Sequence, residues 1–175
     1  MDDKQLVRDL NNTIANWINN LEKYSSTQFL AKPSANSWSV GQVYMHIISA
    51  TIYFIKQVNI CVANNDNADM ECSPSAKAMF ANNEFPDAVL DGPPGNAFTP
   101  QPVDKADVLK RLEALKNKIS KTGAAITANA FKGKTKHLGL GYFNAVQWFQ
   151  FAEMHLRHHE RQRSRLDAFL KENNI

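Results

Sequence analysis

Three observations predict an all-α fold, a single domain of four long helices with a long crossover between the second and the third. Four segments carry apolar residues at steps of three and four, the spacing that holds one side of a helix against a core. Capping residues stand at the start of several of them. The chain of 175 residues, 43% hydrophobic, is long enough for one buried core.

The first helix is predicted from Asp3 to Tyr24, with Leu6, Val7, Leu10, Ile14, Trp17, Ile18 and Leu21 on its inner side. A turn-like KPSANSW follows. Ser39-Val40-Gly41-Gln42 then matches a capping box, in which a hydroxyl and an amide side chain satisfy backbone donors of the first turn. The second helix therefore starts at Val40 and runs to about Val62, with Val43, Tyr44, Ile47, Thr51, Phe54, Ile55 and Val58 turned inward.

Residues 63–103 are rich in Asn and Pro and hold every proline except Pro33. No sustained helical period is read in them. Loops beyond about 12 to 15 residues are uncommon inside compact domains. A crossover between parallel second and third helices explains this one, because the chain must then travel the length of the bundle. Phe80, Phe85, Leu90 and Phe98 imply a segment packed on the helices rather than a disordered linker.

Asp104 caps a third helix that is expected to end near Thr122, with Val108, Leu112, Leu115 and Ile119 on one stripe. Gly123, Gly133, Gly139 and Gly141 punctuate the next connection. The last helix runs from about Asn144 to Lys171. Its inner stripe is Ala145, Trp148, Ala152, His155, His159, Gln162, Leu166 and Phe169.

Charge excludes some partners. Lys plus Arg number 20 against 17 Asp plus Glu, and the residues are scattered, so no strong field draws nucleic acid or an anionic membrane. MDDKQLVRDL lacks the basic start and apolar run of a secretory signal, and nowhere do 18 apolar residues follow one another. Cys61 and Cys72 are too far apart for a Cys-x-x-Cys motif and are expected to be reduced thiols of a cytoplasmic protein. No Gly-rich phosphate loop, nucleophile elbow or paired-carboxylate motif is present.

Of five histidines, three fall in AEMHLRHHERQ. His155 and His159 are one turn apart, so both rings can project to one point, and the phase of the last helix places that point inside the bundle. His158 lies about 60° to 100° around the axis from them, at the helix flank. His46, one turn from Val43 and Ala50, is the partner from the second helix. Three neutral imidazoles would leave open positions on a metal, as in sites that bind water or substrate. Two readings stay open here, metal ligands or core imidazoles satisfied by hydrogen bonds.

The spacing resembles the His-Glu-x-x-His of zinc proteases, but Leu156 replaces the general-base Glu and disfavours that class. Helical phase turns Glu153 and Glu160 away from the histidine stripe, so no general base is identified. His137, in KGKTKHLGLG, is expected to be a solvated loop residue. Trp38 is expected to staple the start of the second helix, Trp17 and Trp148 to be core, and RHHERQRSR to be a solvated outer face.

SWSVGQVYMHI, with Trp38, Ser39, Gly41, Gln42 and His46, resembles the second-helix signature of the DinB/YfiT-like superfamily. WFQFAEMHLRHHERQ, with Trp148, His155, His159 and Gln162, resembles its last helix, and the resemblance covers essentially the whole chain. It implies an up-down-down-up four-helix bundle. It also implies a divalent metal, zinc or nickel, bound by His46, His155 and His159, with no ligand role for His158. Members of known activity include thiol S-transferases that activate a low-molecular-weight thiol on the metal, and a mycothiol-dependent maleylpyruvate isomerase; others are classed as metal-dependent hydrolases. The resemblance thus implies an enzyme acting on a small-molecule substrate by thiol S-transfer. The alternatives are a metal-dependent hydrolase or a non-catalytic, stress-related binding module. A homodimer through helix faces is compatible with that fold.

Overall fold

The computed structural model describes residues 3–86, 98–128 and 130–175. The described chain is mostly helical, with one small two-stranded sheet. Helix α1, Asp3–Leu21, buries Leu6, Leu10, Ile14, Trp17 and Leu21 along one face. It stops short of Tyr24, because Ser25 begins a new capping box. The Ser25 hydroxyl accepts from the Gln28 amide and the Gln28 side chain accepts from the Ser25 amide, starting the short helix α2, Ser26–Leu30. At five residues α2 is too short to leave a periodic trace in the sequence.

Helix α3, Val40–Cys61, starts on the predicted box of Ser39 and Gln42. Both capping side chains also bind the strand of chain that leads into the next long helix. The Ser39 hydroxyl donates to Gln101 Oε1 at 2.7 Å, and Gln42 Nε2 donates to the Thr99 carbonyl at 2.6 Å. A Cβ at Gly41 would stand 2.7 Å from Pro102 Cγ, so only glycine permits this close approach.

The connection after α3 is more structured than its composition suggests. Ser73 caps helix α4, Pro74–Asn82, whose proline sits in the first turn and whose end is closed by Asn83 at φ 53°. Phe85 is buried and Phe80 partly so, as expected, whereas Phe98 is 84% exposed and does not pack. Leu90 lies outside the described residues.

Helix α5, Lys105–Thr127, has the predicted Asp104 cap but runs past the expected end and through Gly123. Gly123 is therefore not a loop residue. It marks the crossing of α5 and α1, where an added Cβ would lie 2.6 Å from Val7 Cγ2. The glycine-punctuated connection beyond it contains a β-hairpin, β1 Lys134–His137 and β2 Gly141–Asn144, in the register Thr135 opposite Phe143. Backbone bonds from Tyr142 to Glu71 and from Ser73 to Leu140 lay the α3–α4 connection along it. Trp148 Nε1 donates to Thr135 Oγ1 at 2.6 Å and fastens the hairpin to helix α6, Ala145–Glu172, which is capped by Asn144 and Gln147.

Helix α6 packs against α3 and α1, and α5 packs against the same two. Between them lie Leu10, Ile14, Trp17, Val43, Tyr44, Ile47, Leu112, Leu115, Trp148 and Phe149, all essentially without solvent contact. Tyr44 donates to the Trp17 carbonyl and Lys105 to the Tyr24 carbonyl, and Tyr24 donates to Asp167 on α6. These bonds gather the end of α1, the starts of α3 and α5 and the last turns of α6. Both cysteines are buried and free. No described helix is long and apolar enough to cross a membrane.

Candidate metal centre

His46 stands in the second turn of α3, its register set by the Ser39 cap, and His155 and His159 stand midway along α6. Because α3 and α6 pack face to face, the three rings meet. His155 Nε2 is 3.3 Å from His46 Nε2 and 3.2 Å from His159 Nε2, and one nitrogen from each ring falls within 4.8 Å of the others. His46 and His159 are each 9% exposed, and His155 is half-buried.

These distances suit a shared cation. Ligand nitrogens about 2.0–2.1 Å from a tetrahedral ion stand about 3.3–3.4 Å apart, close to both of these gaps. Hydrogen bonding alone serves the cluster poorly. A neutral imidazole has one N–H and one lone pair, so His155 Nε2 cannot pair properly with two neighbouring nitrogens at once. The His159 tautomer is set from outside, since its Nδ1 lies 2.8 Å from Gln162 Oε1 and donates to it, leaving the Nε2 lone pair facing the cluster. The donor set fits a divalent ion.

Burial also keeps the rings neutral. It pushes His46 down to about 4 and His159 to about 3, and holds His155 well below the ordinary histidine value. A proton on a neighbouring ring would act in the same direction, from His158 on His46, from His46 first on His159, and from His159 first on His155. The Gln162 bond opposes the shift at His159. All three lone pairs are thus available near neutral pH without removal of a proton.

Aromatic rings wall the cluster. Trp38 lies with its ring 5.1 Å from that of His46, Phe54 stands edge-on to His155 at 5.3 Å, and Phe85 is 6.4 Å from His155. Trp38, expected as a helix staple, is therefore part of the site's wall. His158 is outside the converging group, its ring 5.3 Å from His159 and 5.6 Å from Phe85. Glu153 is buried but turned to α1, where it accepts from Thr13 at 3.1 Å and from Arg157 at 2.7 Å. It borders a groove of about 340 Å³ that includes none of the three histidines.

His137 departs from expectation. It is no solvated loop residue but the last residue of β1, stacked on Phe143 at 5.2 Å and packed by Trp148 and Phe151. Strands of four residues in a Gly/Lys-rich segment give little alternation to read. The other side chain missed was Gln162, placed on the inner stripe without a role; its position three residues after His159 was the available signal.

Three imidazoles meeting between two packed helices, with an amide holding one of them, define a helical protein built around a cluster that could hold a metal. The chain belongs to the DinB superfamily, whose family model matches residues 9–162. The match reaches from α1 to Gln162, the partner of His159. No curated protein matches the chain.

Proposed function

We propose that this protein is a divalent-metal-dependent enzyme that acts on a small molecule by thiol S-transfer, with His46, His155 and His159 as ligands to zinc or nickel. The observation that carries the reading is the convergence of three neutral Nε2 atoms with gaps of 3.2 and 3.3 Å. We further propose that residues 1–175 form one domain in which α1, α3, α5 and α6 run up, down, down and up. Support for that order comes from the bonds that gather the end of α1 with the starts of α3 and α5.

A divalent ion in such a site lowers the pKa of a bound thiol or water. The protein's own contribution is to hold the ligands and to keep water away. Gln162 orients His159, packing between α3 and α6 sets His46 against His155, and Trp38, Phe54 and Phe85 keep the surroundings apolar. Thiol transfer is favoured over hydrolysis on the resemblance to superfamily members that activate a low-molecular-weight thiol on their metal. A low-molecular-weight thiol needs only to lose its own proton.

The test is metal analysis of untagged, reloaded protein together with thiol consumption across a panel of electrophiles. Near-stoichiometric zinc or nickel, lost in His155→Ala along with turnover, is expected. Less than about a tenth of an equivalent after reloading would refute the metal site. Full occupancy without turnover would make the protein a binding module.

A further inference from the structure

One side of helix α3 carries His46 and the core residues Val43, Ile47, Phe54 and Val58; the other looks outward. A helix face turned to water is normally rich in charge, as on α5, where Lys110, Arg111, Glu113, Lys116, Lys118 and Lys121 are all exposed. In the 22 residues of α3 the single Lys, Arg, Asp or Glu is Lys56. Its outer face instead leaves Ile52 42%, Tyr53 48% and Ile60 37% exposed. A helix so poor in charge on all sides is suited to burial on all sides, so this face is one that a partner covers.

The pattern of the face identifies the partner. Ser49, Ile52, Lys56 and Asn59 are all exposed and recur at steps of three, four and three, a spacing that reads the same in either direction. A second α3 laid antiparallel, with a two-fold axis beside residue 54, therefore matches the first position by position. Ser49 falls opposite Asn59 of the second copy and Ile52 opposite its Lys56. The Ser49 hydroxyl donates to the His46 carbonyl at 3.0 Å and keeps a lone pair to accept from that Asn59 amide. Each Lys56 lays its stem over Ile52 of the other copy and extends its ammonium to water, so the two charges do not stand opposite each other. Tyr53 and Ile60, seven residues apart, lie together on one flank, where each meets the other's counterpart across the axis.

We propose that the outer face of α3 is the interface of a two-fold homodimer, in which the α3 helices of two copies pack antiparallel through Ser49, Ile52, Tyr53, Lys56, Asn59 and Ile60. Overlap from Met45 to Cys61 is about 25 Å long and buries on the order of 600 Å² on each copy, which reaches the lower end for a specific, stable pair. The inference does not depend on the metal reading. It uses the side of α3 that faces away from the core.

The experiment is sedimentation equilibrium of the full chain from low micromolar to submillimolar concentration, with helical circular dichroism as the control for folding. The wild type is expected to reach twice the mass of the chain. Tyr53→Glu and Ile60→Lys, both at exposed positions, should each weaken dimerisation by roughly tenfold or more, because each puts a charge against an apolar side chain of the other copy. The double variant faces Glu with Lys twice across the axis and should recover dimerisation relative to either single. A dimer that survives both single substitutions, or one that the double variant does not restore, would overturn the antiparallel α3 interface. So would a wild type that stays monomeric, whether it remains free or instead binds phosphatidylcholine vesicles through this face.

Discussion

His159 Nδ1 and Gln162 Oε1 are 2.8 Å apart on consecutive turns of α6, and this bond decides which nitrogen of His159 faces the cluster. With the proton held at Nδ1, the lone pair of Nε2 points at His155. Gln162→Ala frees the ring to rotate and to change tautomer. Loss of such an outer partner typically costs about 10- to 100-fold in metal affinity. That drop is expected in a chelator competition, with the helical circular dichroism unchanged, while Gln162→Glu should retain affinity. An unaltered affinity in Gln162→Ala would deny the amide its orienting role.

If His46 and His159 hold one ion, as proposed, its removal has a thermal consequence. A ligand at about a hundred times its Kd stabilises the folded state by about 2.7 kcal/mol, which for a chain of this size is a shift of roughly 5–10 °C. Adding a strong chelator to the metal-loaded wild type should therefore lower its melting temperature by about that amount. His46→Gln and His159→Gln each remove one of the converging nitrogens and should barely respond. The same chelator response in all three proteins would show that the two rings do not hold one ion.

Acid should destabilise the metal-free protein through the same rings. Burial lowers His46 to about 4 and His159 to about 3 from an ordinary value of 6.5. Between those values the unfolded chain holds protons that the folded protein refuses, so acidification favours unfolding. The contribution is complete above about pH 6.5, declines as pH falls, and is gone once pH has passed through 4 and then 3; its size is on the order of a few kcal/mol. Urea midpoints of chelated wild type should fall more steeply between about pH 7 and pH 4 than those of the His46→Gln/His159→Gln double variant. Parallel pH profiles would contradict this account.

The site was legible because helical phase is a strong constraint. His155 and His159 share a face by geometry, and the Ser39–Gln42 box sets the register that brings His46 to them. The boundaries of α3 and α6 were legible for the same reason, since both begin on side-chain caps that a sequence displays. What escaped was structure without a long period. The two four-residue strands, α2 and α4 are each nine residues or fewer, and their order comes from contacts such as Thr135 with Trp148 and Tyr142 with the Glu71 carbonyl. Trp38 and Gln162 were visible as residues but not as neighbours of His46 and His159, because that information lies in three dimensions.

Gly123 is the instructive misreading. Glycine lowers helix propensity by about 1 kcal/mol relative to alanine, which made it look like a helix end. Its place is inside α5, facing Val7 of α1, and a Cβ there would come within 2.6 Å of Val7 Cγ2 and 2.9 Å of Val7 Cγ1. Val7 is β-branched, with little rotamer freedom in a helix to move aside. Gly123→Ala should therefore lose by overpacking at least what it gains in propensity, for a net destabilisation of about 1 kcal/mol or more. Val7→Ala removes both clashing methyls, and the double variant should recover stability relative to the sum of the singles by about 1–2 kcal/mol. Urea denaturation of the four proteins of the cycle measures this coupling. Strict additivity would mean that α1 and α5 yield at this crossing, and that Gly123 is there for a reason other than Val7.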